Sequence, residues 1–146
     1  MIRVILDTTI LISAFLWSKR VSKSILPLIE GKKILICFSL ETIDELLGVL
    51  SRKEFFSKFS KIDITPKKLV NELINRENVL VIKKPLLIPS KPIIKEDPSD
   101  DKFLYLAIEA EAKYIISGDK HLLKLKEFKG IKIVSVDEFL PIFSLK

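Results

Sequence analysis

The chain is punctuated by short apolar runs, and their length limits what it can fold into. Arg3–Leu6, Lys33–Phe38, Val79–Ile82, Tyr114–Ile116 and Ile131–Val134 are too brief for helices and read as buried strands. Helical patterns lie between them. Ile10–Trp17 is long enough to start a helix, and Ser22–Ile29 continues helically until Gly31 stops it. Ser39 is placed to cap a helix in which Ile43, Leu46, Leu47 and Leu50 recur at i, i+3, i+4 and i+7. Pro66 divides Phe55–Ile74 into helical pieces. Residues 83 to 99 carry four prolines and are expected to be irregular. Helices are expected from about Asp100 to Ala112 and, after Gly118-Asp119, from Lys120 through Leu125, with a terminal turn or helix over Glu138–Phe143. Strands alternating with helices imply an α/β fold with a parallel sheet covered on both faces.

A length of 146 residues suits one compact domain spanning 1–146, and 48% hydrophobic residues suffice for a core. Interdomain linkers, fixed-period repeats and low-complexity tracts are absent from the sequence. The lone Cys37, inside an apolar run, reads as a small buried hydrophobe. Asp7 interrupts the apolar N-terminus, which therefore reads as neither signal peptide nor membrane span. A soluble, cytoplasmic protein without membrane attachment is expected. The net charge of +6 favours polyanionic partners such as RNA or DNA. A Lys-rich solvated surface explains it as well, and no aromatic platform interleaves with the basic residues. Charge supports a site found elsewhere without identifying one.

Ligands of parallel sheets bind beyond the carboxyl ends of the strands, where Asp7 and Asp119 fall. Each also has a plain explanation as a helix cap. Asp97 followed by Pro98 reads as an N-cap with proline at the first helical position. Asp100 then sits at N3, where an acid favours the helix dipole. Asp101 lacks such an explanation. On a wheel of 100° per residue it shares a face with Leu104, Tyr105, Ile108 and Ala112, the face expected to be buried. A carboxylate there needs a partner, and without a His or Cys cluster a hard divalent cation is the natural one. The expectation is that Asp101 is a metal ligand and Asp100 is not. Glu45 lies opposite the apolar stripe of its helix and reads equally as an exposed acid or a site residue.

Four stretches then resemble one family. Val4–Ser13 resembles the opening motif of PIN-domain nucleases, Ser39–Arg52 the second motif with Glu45 at the acidic position, Asp97–Leu104 the third, and Tyr114–Leu123 the fourth, through Ser117-Gly118-Asp119. The resemblance implies an α/β/α sandwich and Mg²⁺- or Mn²⁺-dependent RNA cleavage by Asp7, Glu45, Asp101 and Asp119 as catalytic and metal-binding acids. Thr8, Thr9, Ser13 and Ser117 would support them. Thr9 stands where the family usually has Asn. The chain looks most like VapC-type toxins, which implies a small antitoxin partner and a homodimer. Trp17 and the cluster Phe55, Phe56 and Phe59 are candidate contact surface, against a plain reading as core. His121 reads as a surface or RNA-contact residue. Two alternatives remain: a haloacid-dehalogenase-type phosphatase, which would want an acid where Thr9 stands, and a non-catalytic PIN module binding RNA or protein.

Overall fold

A computed structural model describes residues 1–17 and 19–144. Its centre is a six-stranded sheet in the order β3-β2-β1-β4-β6-β5. The strands are β1 (Ile2–Leu6), β2 (Ile34–Ser39), β3 (Val79–Ile82), β4 (Tyr114–Ile116), β5 (Glu127–Phe128) and β6 (Ile131–Val134). Every pairing is parallel except that of β5 with β6. The apolar runs become strands because both of their faces are covered. Val4, Leu6, Ile36, Phe38 and Ile116 enter one core, while Ile5, Cys37 and Ile115 enter the other. Burial pushes the Cys37 thiol up to about 11, which keeps it inert.

The first core lies against α1 (Thr8–Ile12, extended by a π-helical turn to Trp17), α2 (Lys19–Glu30), α3 (Leu40–Leu50), α4 (Phe56–Ile62), α5 (Pro66–Ile74) and α8 (Val136–Ser144). The second lies beneath α6 (Asp101–Glu109) and α7 (Lys120–Leu125). Ser39 caps α3 as expected: it accepts from the Thr42 N–H at 3.1 Å, and Thr42 answers the Ser39 N–H at 3.0 Å. Residues 83–97 form no helix or strand. The hairpin of β5 and β6 was not legible beforehand, because its first strand has two residues. Its turn, Lys129-Gly130, has positive φ at both positions, 49° and 85°.

Two expectations change, and a third falls outside the described residues. Phe55 and Phe59 are core residues, and of the proposed aromatic contact surface only Phe56 is exposed, at 61%. The side chain of Trp17 lies outside the described part of the chain. The buried stripe of α6 is rotated: Phe103, Leu104 and Ala107 are buried, Tyr105 is half-buried and Ile108 is 37% exposed. Among the described residues no helix is long and apolar enough to cross a membrane.

The chain runs from β1 through β2 to β3 on one side, then returns to place β4 on the other side of β1. The switch point therefore lies between β1 and β4, where the loops diverge and leave a crevice. Buried Asn78 joins two layers on the β2 side. Its Nδ2 donates to the Ile29 carbonyl of α2 at 2.8 Å and to the Ile34 carbonyl of β2 at 3.1 Å. Asn78→Ala should remove both side-chain donations, leaving the Ile29 carbonyl only the Lys32 N–H, and destabilise the fold by about 1–3 kcal/mol. Chemical denaturation reads this directly, and an unchanged midpoint would contradict the assigned role.

Candidate functional site

At the switch point, a cleft of about 240 Å³ is lined by Asp7, Glu45, Asp97, Asp100 and Asp119, together with Thr8, Thr9, Arg52 and Ser99. Asp7, Glu45 and Asp119 arrive on separate elements, while Asp97 and Asp100 flank one 3₁₀ turn. Asp7 ends β1 and caps α1, its Oδ1 accepting from the Ile10 N–H at 2.9 Å and the Thr9 hydroxyl at 2.7 Å. The Ser117 hydroxyl donates to its Oδ2. Asp119 follows β4 and caps α7, accepting from the His121 N–H at 2.7 Å, while its own N–H donates to Ser117 Oγ at 2.9 Å. Both residues thus cap a helix and line the cleft. Ser117 bridges them and is fully buried. Thr9, in the place of the usual Asn, still supplies Asp7 with a donor. Ser13 lies apart, in a neighbouring cleft with Arg20 and Asp137.

Glu45 projects from α3 into the cleft with both oxygens engaged. Oε2 accepts from the Thr8 hydroxyl at 2.5 Å, and Oε1 accepts from Lys102 Nζ at 2.5 Å.

Asp101 departs from its expected place. It is only 3% exposed, as the buried-stripe argument required, but its carboxylate does not line the cleft. Oδ2 accepts from the Ile93 N–H at 2.9 Å and Oδ1 from the Ile94 N–H at 3.0 Å. The partner that burial demanded is the backbone of the proline-rich segment, which Asp101 pins to the start of α6. Asp100 lines the cleft instead. It ends the 3₁₀ turn Pro98–Asp100 and is 9% exposed. With the stripe rotated onto Phe103, Leu104 and Ala107, it is Asp100 that lies in phase with the buried face.

In the sequence Asp97 reads as a cap. Its carboxylate accepts from Ser99 Oγ at 2.5 Å and bonds no helix N–H. It converges with Asp100 and Asp119, one carboxylate oxygen of each lying within 4.8 Å of the others. The signal for Asp97 was available in the sequence as the first acid of Asp97-Pro98-Ser99-Asp100-Asp101.

The electrostatics are those of an acid cluster short of counter-charge. Burial, a contact with the Asp119 carboxyl, and the charges of Asp97, Asp119 and Glu45 push Asp100 up to about 8. No N–H or hydroxyl reaches its buried Oδ2. Burial also raises Asp7, against the hydrogen bonds from Ser117, Ile10 and Thr9. Asp119 loses solvation as well, but the contact with Asp100 and the His121 N–H hold it below the usual carboxylate range. An orphaned, desolvated oxygen amid three convergent carboxylates suits a hard divalent cation, which takes oxygen ligands.

A pH dependence follows. Asp100 titrates near 3.8 in an ordinary setting and near 8 in the fold. Between those values the folded chain binds the extra proton, so its stability falls as pH rises through that window. In EDTA, Asp100→Asn should flatten the decline, and thermal melts across pH 4 to about 8 measure it. An unchanged slope in the variant would refute this origin.

Comparison with known proteins agrees with this architecture. Residues 3–121 match the PIN domain family model, a span that holds every acid of the cleft. No curated protein matches by sequence. Among solved structures, VapBC2 from Rickettsia felis, determined bound to a DNA fragment from its promoter, resembles the chain with a TM-score of 0.53 and 16% identity. The match covers 90% of this chain and 97% of that one; at such identity the likeness is one of fold. The phosphatase alternative is set aside by the family match, and the residue two positions after Asp7 is a hydroxyl donor, not an acid. The chain belongs to the PIN domain family.

Proposed function

We propose that this chain is a divalent-metal-dependent ribonuclease, one domain over residues 1–146, acting as the toxin of a toxin–antitoxin pair. The observation that carries the reading is the convergence of Asp97, Asp100 and Asp119 beside Asp7, with one buried Asp100 oxygen lacking a donor. Asp97, Asp100 and Asp119 would hold Mg²⁺ or Mn²⁺, with Asp7 and Glu45 in the same cleft. Bound there, such an ion supplies a water of lowered pKa and neutralises charge developing on a phosphate.

The chain's own residues do the remaining work. Ser117 and Thr9 hold Asp7 through hydroxyl donors and fix its two oxygens. Arg52 lines the cleft and would contact the RNA backbone, which the surplus of cationic side chains attracts over longer range. The same acids that bind a cation repel a phosphodiester, so cleavage should depend strictly on the ion. A small antitoxin as partner, and self-association as a dimer, are part of the proposal. They rest on the resemblance to VapC-type toxins and on the fold shared with a protein solved as VapBC2.

The test is cleavage of a fluorogenic single-stranded RNA in Mn²⁺ and in EDTA. The parent should cut only with the ion. Asp7→Asn and Asp100→Asn should each lower the rate by about a hundredfold or more, since each removes charge from the centre while preserving shape. Asp101→Asn should instead lower the melting temperature while the folded fraction still cuts. Full activity in Asp100→Asn, or EDTA-resistant cleavage by the parent, would overturn the proposal.

A further inference from the structure

Lys102, the cation of the third motif, has no part in the mechanism above. It follows Asp100 and Asp101 directly, and its ammonium lies 2.5 Å from Glu45 Oε1. The two side chains are only 17% and 24% exposed, so solvent screens the pair less than a surface ion pair. Glu45 reaches it from α3 across 57 positions of sequence. The other Glu45 oxygen is taken by the Thr8 hydroxyl, which fixes the rotamer. Glu45 thus enters the acid cleft already paired with an ammonium, whereas among the described residues no Lys or Arg forms an ion pair with Asp97, Asp100 or Asp119, which converge on one another. A second divalent ion coordinated by Glu45 would have to settle beside an ammonium already in contact with that carboxylate, and two cations at that range repel strongly.

We infer that Lys102 is a positioning residue that occupies the place of a second cation. It withdraws Glu45 from coordination and limits the centre to one divalent ion per chain, held by Asp97, Asp100 and Asp119. The inference rests on reading the cleft as a divalent-metal centre. It gives the ion pair between α3 and α6 a role beyond packing, since it makes the metal stoichiometry depend on a single lysine.

The experiment is a Mn²⁺ titration of the full chain, with free Mn²⁺ counted by electron paramagnetic resonance and each variant's fold checked by circular dichroism. The parent should bind one Mn²⁺. Lys102→Met, which keeps the stem and removes the charge, should bind a second ion, because a positive charge has left the cleft. Lys102→Arg should behave as the parent. Lys102→Met combined with Glu45→Gln should return to one ion, which a merely structural role for Lys102 would not produce. Two Mn²⁺ per parent chain would overturn the inference even if Lys102→Met fails to fold. A Lys102→Met variant that folds and binds as the parent would overturn it too, leaving the metal-centre reading intact. A parent that binds no Mn²⁺ would overturn both.

Discussion

Parallel pairing of β1 with β4 sets Asp7 beside Ser117, 110 positions apart in the chain, and the rest of the site is built on that meeting. The Asp7 N–H donates to the Ile116 carbonyl at 3.1 Å, so the register that aligns Leu6 with Ile116 continues one step beyond the strand into the site. Ser117 then joins the two strand ends, donating to Asp7 and accepting from the Asp119 N–H. A one-residue slip of β4 would turn Ser117 to the other face of the sheet and sever both contacts. That slip is opposed by the cores on both faces: Tyr114 and Ile116 are committed to one, and Ile115 to the other. Hydrophobic alternation over three residues is thereby converted into the position of two carboxylates.

The buried and half-buried acids around the cleft divide by what accompanies them. Asp101 is matched by two backbone N–H groups at about 3 Å and acts as a fastener. Glu45 is matched by a hydroxyl and an ammonium. Asp100 is desolvated with one oxygen unmatched and three acids facing it. A fold has no stabilising use for the last arrangement, because the desolvation and the repulsion both oppose folding. Local rules broken without compensation mark the places where function has overridden stability. By that criterion Asp100, not Asp101, is the acid left with an unpaired oxygen in the cleft.

Much of this was legible in the residues. The strand runs announced a sheet buried on both faces, and the acids after β1 and β4 announced the edge where the site lies. Ser39 announced the start of α3. The phase of α6 did not announce itself. Leu104 belongs to either of two stripes, one with Tyr105 and Ile108 and one with Phe103 and Ala107, and all these side chains are apolar or aromatic. Tertiary packing chose the second, and the choice exchanged the roles of two adjacent aspartates. Glu45 was ambiguous for a different reason. Helical periodicity assigns it to the face away from the apolar stripe, and only the arrival of α6 and Thr8 from distant parts of the chain turns that face into a cleft wall.

The segment least readable from sequence turns out to carry part of the site. Residues 83–97 have no regular structure, yet Asp97 at their end must stand within reach of Asp100 and Asp119. The segment is fixed by side chains reaching out from helices. Glu41 of α3 accepts from the Leu86 N–H at 3.0 Å, Asp101 of α6 accepts from Ile93 and Ile94, and Ile94 itself is buried in the second core. Proline supplies little of this order, since it removes donors and fixes only φ. Acids on regular elements therefore play two parts: some face the cleft, while Glu41 and Asp101 replace the ladder hydrogen bonds that an irregular segment lacks. The second part explains why, in a run of acids so close together, Asp100 lines the cleft while its neighbour Asp101 turns to the backbone.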